Sequence, residues 1–170
     1  MKQLLIFLLA ASLTTGTKAQ TVDTIPPYKK DPNIPAFQIL QPDSTWFSAA
    51  QLPKYDYTAI VYFSPTCGHC QIAAKDLVTH MDSLKKVFFV FVSYNPLNEI
   101  KEFAEYYGLN VFPNVRYGRD LNYFVPSFYR VEATPFVGVY NNNHKLLAVF
   151  DPPHKNAMEA ADLIELINKK

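Results

Sequence analysis

The 170-residue sequence predicts an α/β fold, with a central mixed sheet and helices on both faces. Two runs, residues 57–64 and 87–94, are rich in β-branched and aromatic side chains, which is typical of buried strands. Apolar residues recur at helical spacing after each run. Near the C-terminus, two further apolar runs flank a turn at residues 141–144 and precede a last helix, so the sheet is predicted to be mixed.

The first half of the chain follows this plan in order. Residues 36–40 are predicted to form a first edge strand that ends in a turn at residues 42–44. After the first buried strand, helical spacing extends from residue 68 to about 85. The second buried strand is followed by an amphipathic helix over residues 98–107, with Gly108 as its C-cap.

The second half has weaker signals before a clear hairpin. A short strand is predicted near residues 110–112 and a helix near residues 121–128. The hairpin strands span residues 136–140 and 145–150, and the asparagines of the intervening turn tolerate positive φ. The closing helix is predicted from about residue 157 to 168, with Asn156 and Glu159 as an approximate capping box.

Composition and charge exclude several classes of protein. The chain is 49% hydrophobic and 18% charged, which is incompatible with an intrinsically disordered protein. Its formal net charge is +1 without a long run of one sign, so no nucleic-acid partner is expected. The length suits one ordinary domain, and we expect a monomer.

The N-terminus is predicted to be a signal peptide over residues 1–19. It has a basic start, an apolar run over residues 4–13 and small residues up to Ala19, after which cleavage is expected. The alternative is an uncleaved amphipathic anchor. Residues 20–36 are rich in proline and polar side chains and are predicted to be an extended arm, which leaves residues 37–170 as the domain. We therefore expect an exported protein of a bacterial periplasm.

The chain has two cysteines, Cys67 and Cys70, between the first buried strand and its helix. A disulfide across so short a loop would stabilise the fold little, so the pair is predicted to do chemistry. At the helix N-terminus the first cysteine is stabilised as a thiolate nucleophile, and the second lies one turn along as the resolving thiol. Gly68 leaves the approach open, and His69, when cationic, would stabilise the thiolate further.

Two alternatives involve no redox reaction at these cysteines. A zinc site needs two more ligands, and neither a second cysteine pair nor a suitable histidine spacing is present. An inert scaffold carrying an unused cysteine pair is the other alternative. We expect neither a metal nor a cofactor, because the cysteine pair itself carries the electrons.

The sequence resembles the thioredoxin superfamily from about residue 50 to 170. The resemblance rests on the strand of residues 59–64, the Cys67-Gly68-His69-Cys70 motif and the Ala133-Thr134-Pro135-Phe136 segment. It implies a thioredoxin-like fold in which Pro135 follows a cis peptide bond. That bond would turn the Thr134 backbone toward the cysteines, where it pairs with a substrate strand.

Within the superfamily, residues 112–115 and 128–135 are similar to exported TlpA-like or ResA-like reductases, and residues 70–135 leave room for an extra strand–helix unit. This implies that the reduced cysteine pair reduces disulfides in exported client proteins. A membrane-bound thiol donor then reduces the pair again. The Gly-His dipeptide is instead typical of disulfide isomerases, so an isomerase or mild oxidant stays an alternative. Residues 65–67 are also similar to peroxiredoxins, but their spaced motif and partner arginine are not matched, so peroxidase activity is not expected.

Two departures from thioredoxin affect the expected site. Thr66 stands where thioredoxin has a tryptophan, and the single Trp46 lies far upstream. Val61 occupies the place of the buried aspartate that assists the resolving thiol. Glu132 is a candidate replacement for this aspartate, and the alternative is that Glu132 is only a solvated loop residue.

The alternative to an enzyme is a non-enzymatic binding module that holds partner strands in the groove beside Pro135.

Overall fold

Seven strands form one mixed sheet at the centre of the protein. The computed structural model describes residues 24–152 and 158–169. In chain order the strands are β1 (Gln38–Leu40), β2 (Trp46–Ser48), β3 (Tyr57–Tyr62), β4 (Val87–Ser93), β5 (Val115–Arg119), β6 (Phe136–Asn141) and β7 (Leu146–Phe150). The order across the sheet is β2-β1-β5-β4-β3-β6-β7. Strands β3, β4 and β5 are parallel and the other pairs antiparallel, which confirms the predicted fold class.

Helices cover both faces of the sheet. In chain order they are α1 (Pro27–Lys30), α2 (Gly68–Thr79), α3 (Leu97–Tyr106), α4 (Phe124–Tyr129) and α5 (Ala160–Asn168), with 3₁₀ turns at Ala49–Gln51, Met81–Leu84 and Leu109–Val111. The helix face is the side on which α2, α3 and α5 pack. The arm face is the side covered by α4 and by the segments before β1 and after β2, residues 24–37 and 49–55. Among residues 24–152 and 158–169, no helix has the length and apolarity that crossing a bilayer requires.

The position of β3 inside the sheet explains the sequence of this strand. It pairs with β4 on one side and β6 on the other, with Ala59 opposite Phe89. Successive side chains of a strand point to opposite faces. Ala59 and Val61 therefore lie in the core of the helix face, and Ile60 and Tyr62 in that of the arm face. Because both faces are covered, five of the six residues of the strand are buried, and both predicted buried strands are confirmed.

One prediction for the strands of the N-terminal region is wrong, and one strand there was not predicted. Strand β1 is not at the edge of the sheet, since it lies between β2 and β5. The edge strand β2 has three residues, too few to show a pattern. The predicted turn between them is confirmed, with Ser44 at φ 66° and Asp43 Oδ1 accepting from the Thr45 N–H at 3.0 Å.

The arm is not extended throughout. Its described part contains α1, a single helical turn in which Pro27 takes the first helical position. Proline suits that position because its φ is already helical and its missing N–H has no partner there. The predicted signal peptide lies outside the described residues.

The first long helix is shorter than predicted, and one predicted strand is a 3₁₀ turn. Helix α2 ends at Thr79, and residues up to 84 continue as a separate 3₁₀ turn. Residues 109–111 also form a 3₁₀ turn. The C-cap of α3 is Tyr107 rather than the predicted Gly108, which follows it in the left-handed conformation at φ 75°. The strand lies further on, at β5. Gly118 in β5 weakens the strand signal, yet a Cβ there would lie 2.6 Å from Leu40 O of β1.

The hairpin of β6 and β7 is confirmed, but its turn works differently. The residue with positive φ is His144, at 59°, and none of the asparagines adopts this conformation. The Asn141 side chain closes the turn, since its Oδ1 accepts from the N–H groups of Asn143 and Lys145, each at 3.0 Å. Asparagine therefore acts here through its side chain rather than through its tolerance of positive φ.

Two helix starts also differ from the prediction. Helix α4 begins at Phe124 because residues 121–123 form a turn that ends in Tyr123 at φ 54°. Helix α5 begins at Ala160, where Glu159 is the N-cap and forms a capping box with Asp162. The predicted capping role of Asn156 falls on a residue outside the described ranges, and Glu159, predicted at the third helical position, is instead the N-cap.

Candidate active site

The two cysteines lie where β3 passes into α2. Cys67 is the N-cap of α2, and its N–H donates to Ser64 O at 3.1 Å. Gln71 fixes the loop from within the helix, because its Nε2 donates to Pro65 O at 3.0 Å and its N–H to Cys67 O at 3.1 Å. The Cys67 side chain is thereby held beside the unpaired N–H groups of the first helical turn.

The cysteines differ in exposure. Both are free thiols, and Cys67 is partly exposed, whereas Cys70 is only 2% exposed. Cys70 lies in the core of the helix face together with Val61 and Ala74. A substrate disulfide can therefore reach the sulfur of Cys67 and not that of Cys70, which is the division that an attacking and a resolving thiol require.

The segment before β6 meets the cysteines from the opposite side. The Thr134–Pro135 peptide bond is cis, which confirms the conformation that the resemblance implies. The Cys67 thiol donates from Sγ to Thr134 O at 3.4 Å. The pairing of β3 with β6 explains this proximity, because Tyr62 at the end of β3 is opposite Phe136 at the start of β6.

Local interactions move the two thiol pKa values apart. Burial acts to raise the pKa of Cys67, but hydrogen bonds outweigh it and leave that pKa below its ordinary value of 9.0. They come from the side chains of Thr134 and Cys70 and from the backbone of His69 and Cys70. Burial raises the pKa of Cys70 to about 12, although its contacts with Ser64 and Thr134 oppose this. Cys67 is thus the thiol that ionises first.

Gly68 and His69 form the exposed surface between the cysteines. A Cβ at Gly68 would meet nothing within 4 Å, so the space beside Cys67 is open there. The His69 side chain is exposed, and it is the backbone of this residue that contributes to the lowered pKa of Cys67. An electrostatic role of the imidazole stays a prediction.

The departures from thioredoxin are visible in the structure. Val61 is 2% exposed and apolar, so nothing at that position accepts a proton. Glu132 is exposed, as a solvated loop residue is, and Trp46 lies on the edge strand β2. Within residues 24–152 and 158–169, no three His, Cys, Asp or Glu side chains are grouped as metal ligands would be.

A cleft on the arm-face side of Thr134 was not predicted from the sequence. It has a volume of about 250 Å³, and Tyr62, Tyr123, Glu132 and Thr134 are among its lining residues. Burial raises the pKa of Tyr62 well above its ordinary value, and nearby Tyr123 and Asp120 act in the same direction. Because side chains alternate along β3, Tyr62 points to the opposite face of the sheet from Val61. The sequence alone could have predicted this orientation.

Comparisons with known proteins find similarity in structure alone. No profile of a known protein family matches the chain. A search of curated proteins also finds no match. A secreted disulfide oxidoreductase from Mycobacterium tuberculosis, homologous to Escherichia coli DsbE, superposes with a TM-score of 0.65 at 19% identity, covering 78% of this chain and 94% of that one.

Two other similar structures carry different descriptions. A putative protein disulfide isomerase from Bacteroides thetaiotaomicron has a TM-score of 0.60 at 17% identity, covering 80% of this chain and 86% of that one. A peroxiredoxin-like protein from Aquifex aeolicus has a TM-score of 0.62 at 17% identity, covering 78% and 82% respectively. At these identities the likeness defines the fold, which is thioredoxin-like, as the sequence resemblance implies. The structure adds a two-cysteine site at the start of α2.

Proposed function

We propose that the protein is a thiol–disulfide oxidoreductase that reduces disulfides of client proteins through Cys67 and Cys70. The observation that carries the proposal is the contrast between the two thiols. Cys67 is accessible with a lowered pKa, and Cys70 is buried one turn away with a raised pKa. A nucleophile that ionises easily beside a protected second thiol is the arrangement that dithiol–disulfide exchange needs.

The reaction has two exchange steps. The Cys67 thiolate attacks one sulfur of the client disulfide, an S–S bond forms between Cys67 and the client, and the other client sulfur leaves as a thiolate. Cys70 then loses its proton and attacks the Cys67 sulfur, which forms the Cys67–Cys70 disulfide and releases the second client thiolate. The client gains two electrons and two protons in total, and the enzyme loses the same number.

The released client thiolate can accept the proton of Cys70. In the mixed disulfide Cys67 no longer bears a charge, so its coulombic contribution, which raises the pKa of Cys70 in the reduced protein, is absent. The Thr134 backbone lies beside Cys67 and offers a hydrogen-bonding edge to an extended client segment. Turnover then requires a dithiol donor, which we propose to be a membrane-bound thiol protein.

Export is supported by two observations. Residues 1–19 have the order of a secretory signal, and one similar structure belongs to a protein described as secreted. We propose that the chain acts in a bacterial periplasm after cleavage near Ala19. Disulfides persist in that oxidising compartment, so client substrates would be present there.

A second candidate is an isomerase or mild oxidant. The lowered pKa of Cys67 favours it, because a stabilised thiolate stabilises the reduced state and raises the reduction potential. The description of the Bacteroides structure as a putative disulfide isomerase also fits this candidate. The direction of electron flow is therefore the quantity to measure.

The reduction potential of the cysteine pair decides between them. It is measured by equilibration with glutathione or dithiothreitol and trapping of free thiols by alkylation. We expect a value near or below about −250 mV for a reductant, whereas a value above about −190 mV would identify an oxidant or isomerase. A His69→Ala variant then tests the imidazole, whose removal is expected to lower the potential if its cation stabilises the Cys67 thiolate.

Single cysteine variants test whether the protein is an enzyme at all. Cys67→Ser should lose turnover and trap no client, and Cys70→Ser should accumulate the mixed disulfide because the resolving thiol is missing. If Cys67→Ser instead keeps its partners, and the wild-type pair does not cycle reversibly, the protein is a binding module that uses the groove beside Pro135.

A further inference from the structure

A groove beside the nucleophile has a composition of its own. Its volume is about 500 Å³, and it lies between the turn before Cys67 and the helix α3. We call it the α3 groove; the lining residues used below are Thr66, Glu99, Glu102, Phe103, Tyr106 and Tyr107. Thr66 directly precedes Cys67, so a chain whose sulfur is attacked by Cys67 passes next to this groove.

Aromatic rings form one part of the α3 groove. Phe103 is 5% exposed, and its ring centroid lies 4.7 Å from that of Phe63 and 4.7 Å from that of Tyr107. Tyr106 is 83% exposed and meets Tyr107 edge to face at 4.9 Å. A fixed set of rings therefore ends in one that is largely exposed to solvent, where a cation can reach it.

Carboxylates form the other part. Glu99 Oε2 accepts from Asn95 Nδ2 at 2.9 Å, and Asn95 in turn accepts from Ser93 Oγ at 3.1 Å. Ser93 is fully buried at the end of β4, so Glu99 is tied to the sheet rather than free on the helix surface. Glu102 lies almost one turn further along α3 on the same side.

The charge of the α3 groove has one sign. Among the described residues that line it, two are acidic and none is basic. The nearest basic residue of the helix, Lys101, forms an ion pair with Glu105 at 3.8 Å, and neither residue lines the groove. Two carboxylates and an exposed ring, without a cation of the protein between them, are complementary to a cationic side chain.

We propose that the α3 groove binds a lysine or arginine side chain of the client next to the cysteine that Cys67 attacks. This inference rests on the proposed function and adds a substrate preference to it. The α3 groove would select among client disulfides by the charge beside them, before any exchange has occurred. Because both carboxylates lie near the surface, the preference should weaken as salt screens them.

Two disulfide peptides of equal length test the preference. They differ in one residue, lysine or glutamine, next to the reactive cysteine, and kcat/KM is measured for each at low salt. For the wild-type chain we expect the lysine peptide to be favoured by about fivefold, the combined effect of two exposed ion pairs. In the Glu99→Gln/Glu102→Gln variant the ratio should fall to about one, since glutamine keeps the shape and the hydrogen bond to Asn95.

Matched controls separate the α3 groove from the general charge of the protein. Glu105→Gln removes one carboxylate from the same helix outside the groove and should keep the wild-type ratio. Tyr106→Ala should lower the ratio, and Tyr106→Phe should restore it because the ring face is retained. Raising the salt from about 0.01 to 1 M, which shortens the screening length from about 30 to 3 Å, should lower the wild-type ratio.

The outcomes distinguish the two proposals. Equal kcat/KM for both peptides in the wild-type chain, or a ratio that persists in the double variant, overturns the α3 groove as a cation site and leaves the oxidoreductase intact. If neither peptide is reduced while the cysteines are free, the proposed function fails, and the substrate preference fails with it.

Discussion

The two faces of the sheet are covered by different means. On the helix face, three helices of nine to twelve residues lay apolar stripes over β3 and β4. On the arm face, the cover consists of the six-residue α4 and the mostly irregular residues 24–37 and 49–55. The helix face supplies both cysteines, whereas the arm face supports the segment that carries Thr134 and Pro135. The site therefore lies at the boundary between the helix face and the arm face.

Aromatic contacts and one hydrogen-bonded pair of hydroxyl groups hold the residues of the arm face together. The ring of Tyr28 lies 5.6 Å from that of Tyr129 and 6.4 Å from that of Phe136, centroid to centroid. The hydroxyl groups of Tyr129 and Tyr140 form a hydrogen bond in the core. Because Phe136 directly follows Pro135, these contacts support the segment that carries Thr134 and Pro135.

The largest effect is expected from truncation in the helix face. Leu77 of α2 is 1% exposed, so Leu77→Ala should lower the free energy of unfolding by about 3 kcal/mol through lost burial and a cavity. Chemical denaturation measures this. Ile72→Ala on the same helix is the control, because Ile72 is 69% exposed and its truncation should cost less than about 0.5 kcal/mol. Similar losses for both variants would show that α2 is not held by its apolar stripe.

The asymmetry between the faces also decided what the sequence could reveal. The helix face was predicted almost completely, because periodicity marks long amphipathic helices and apolar runs mark buried strands. The arm face was not, since β2 has three residues and α1 has four, too few to show a period. The coverage of that face by residues 24–37 and 49–55 depends on tertiary contacts such as that of Tyr28 with Tyr129, which no local pattern encodes.

The same distinction applies to the candidate site. Cys67, Cys70 and the cis bond before Pro135 followed from a motif and from resemblance. Tyr62 and Glu99 did not, because their proximity to the cysteines depends on how β3 and α3 are placed. The boundaries of β5 were missed for a local reason, since Gly118 fits the close approach of β1 but weakens a strand pattern.

A second prediction concerns the thiol that the helix face buries. The pKa of Cys70 is raised from 9.0 to about 12, so Cys70 contributes stability that is fully present below pH 9 and is lost as the pH rises through about 12. In that window the unfolded chain releases the Cys70 proton and the folded chain keeps it. The reduced protein should therefore lose more stability over this range than Cys70→Ser does.

Denaturant titrations of both proteins in the presence of a reductant provide the measurement. Cys70→Ser is the matched control because it keeps the size of the side chain and removes the titrating thiol, whereas the buried tyrosines titrate equally in both proteins. If the free energy of unfolding falls equally with pH in both proteins between pH 9 and 12, burial does not raise the pKa of Cys70.

The smallest of these effects is expected on the arm face. Tyr129→Phe removes one hydroxyl and leaves that of Tyr140 in the core without its partner, which should cost about 1.5 kcal/mol. Tyr140→Phe should cost a similar amount for the same reason. The double variant removes both polar groups, so its stability should lie within about 0.5 kcal/mol of the wild type.

The cycle of these variants tests how the arm face is held. Burial raises the pKa of both hydroxyl groups, that of Tyr140 to about 12, so each is a neutral donor or acceptor at neutral pH. If the stability lost by the double variant equals the sum of the two single losses, each hydroxyl stabilises the fold independently of the other. If the double variant is stable yet exchanges disulfides more slowly, the arm face acts on Thr134 through rigidity, and its cover is part of the catalytic framework.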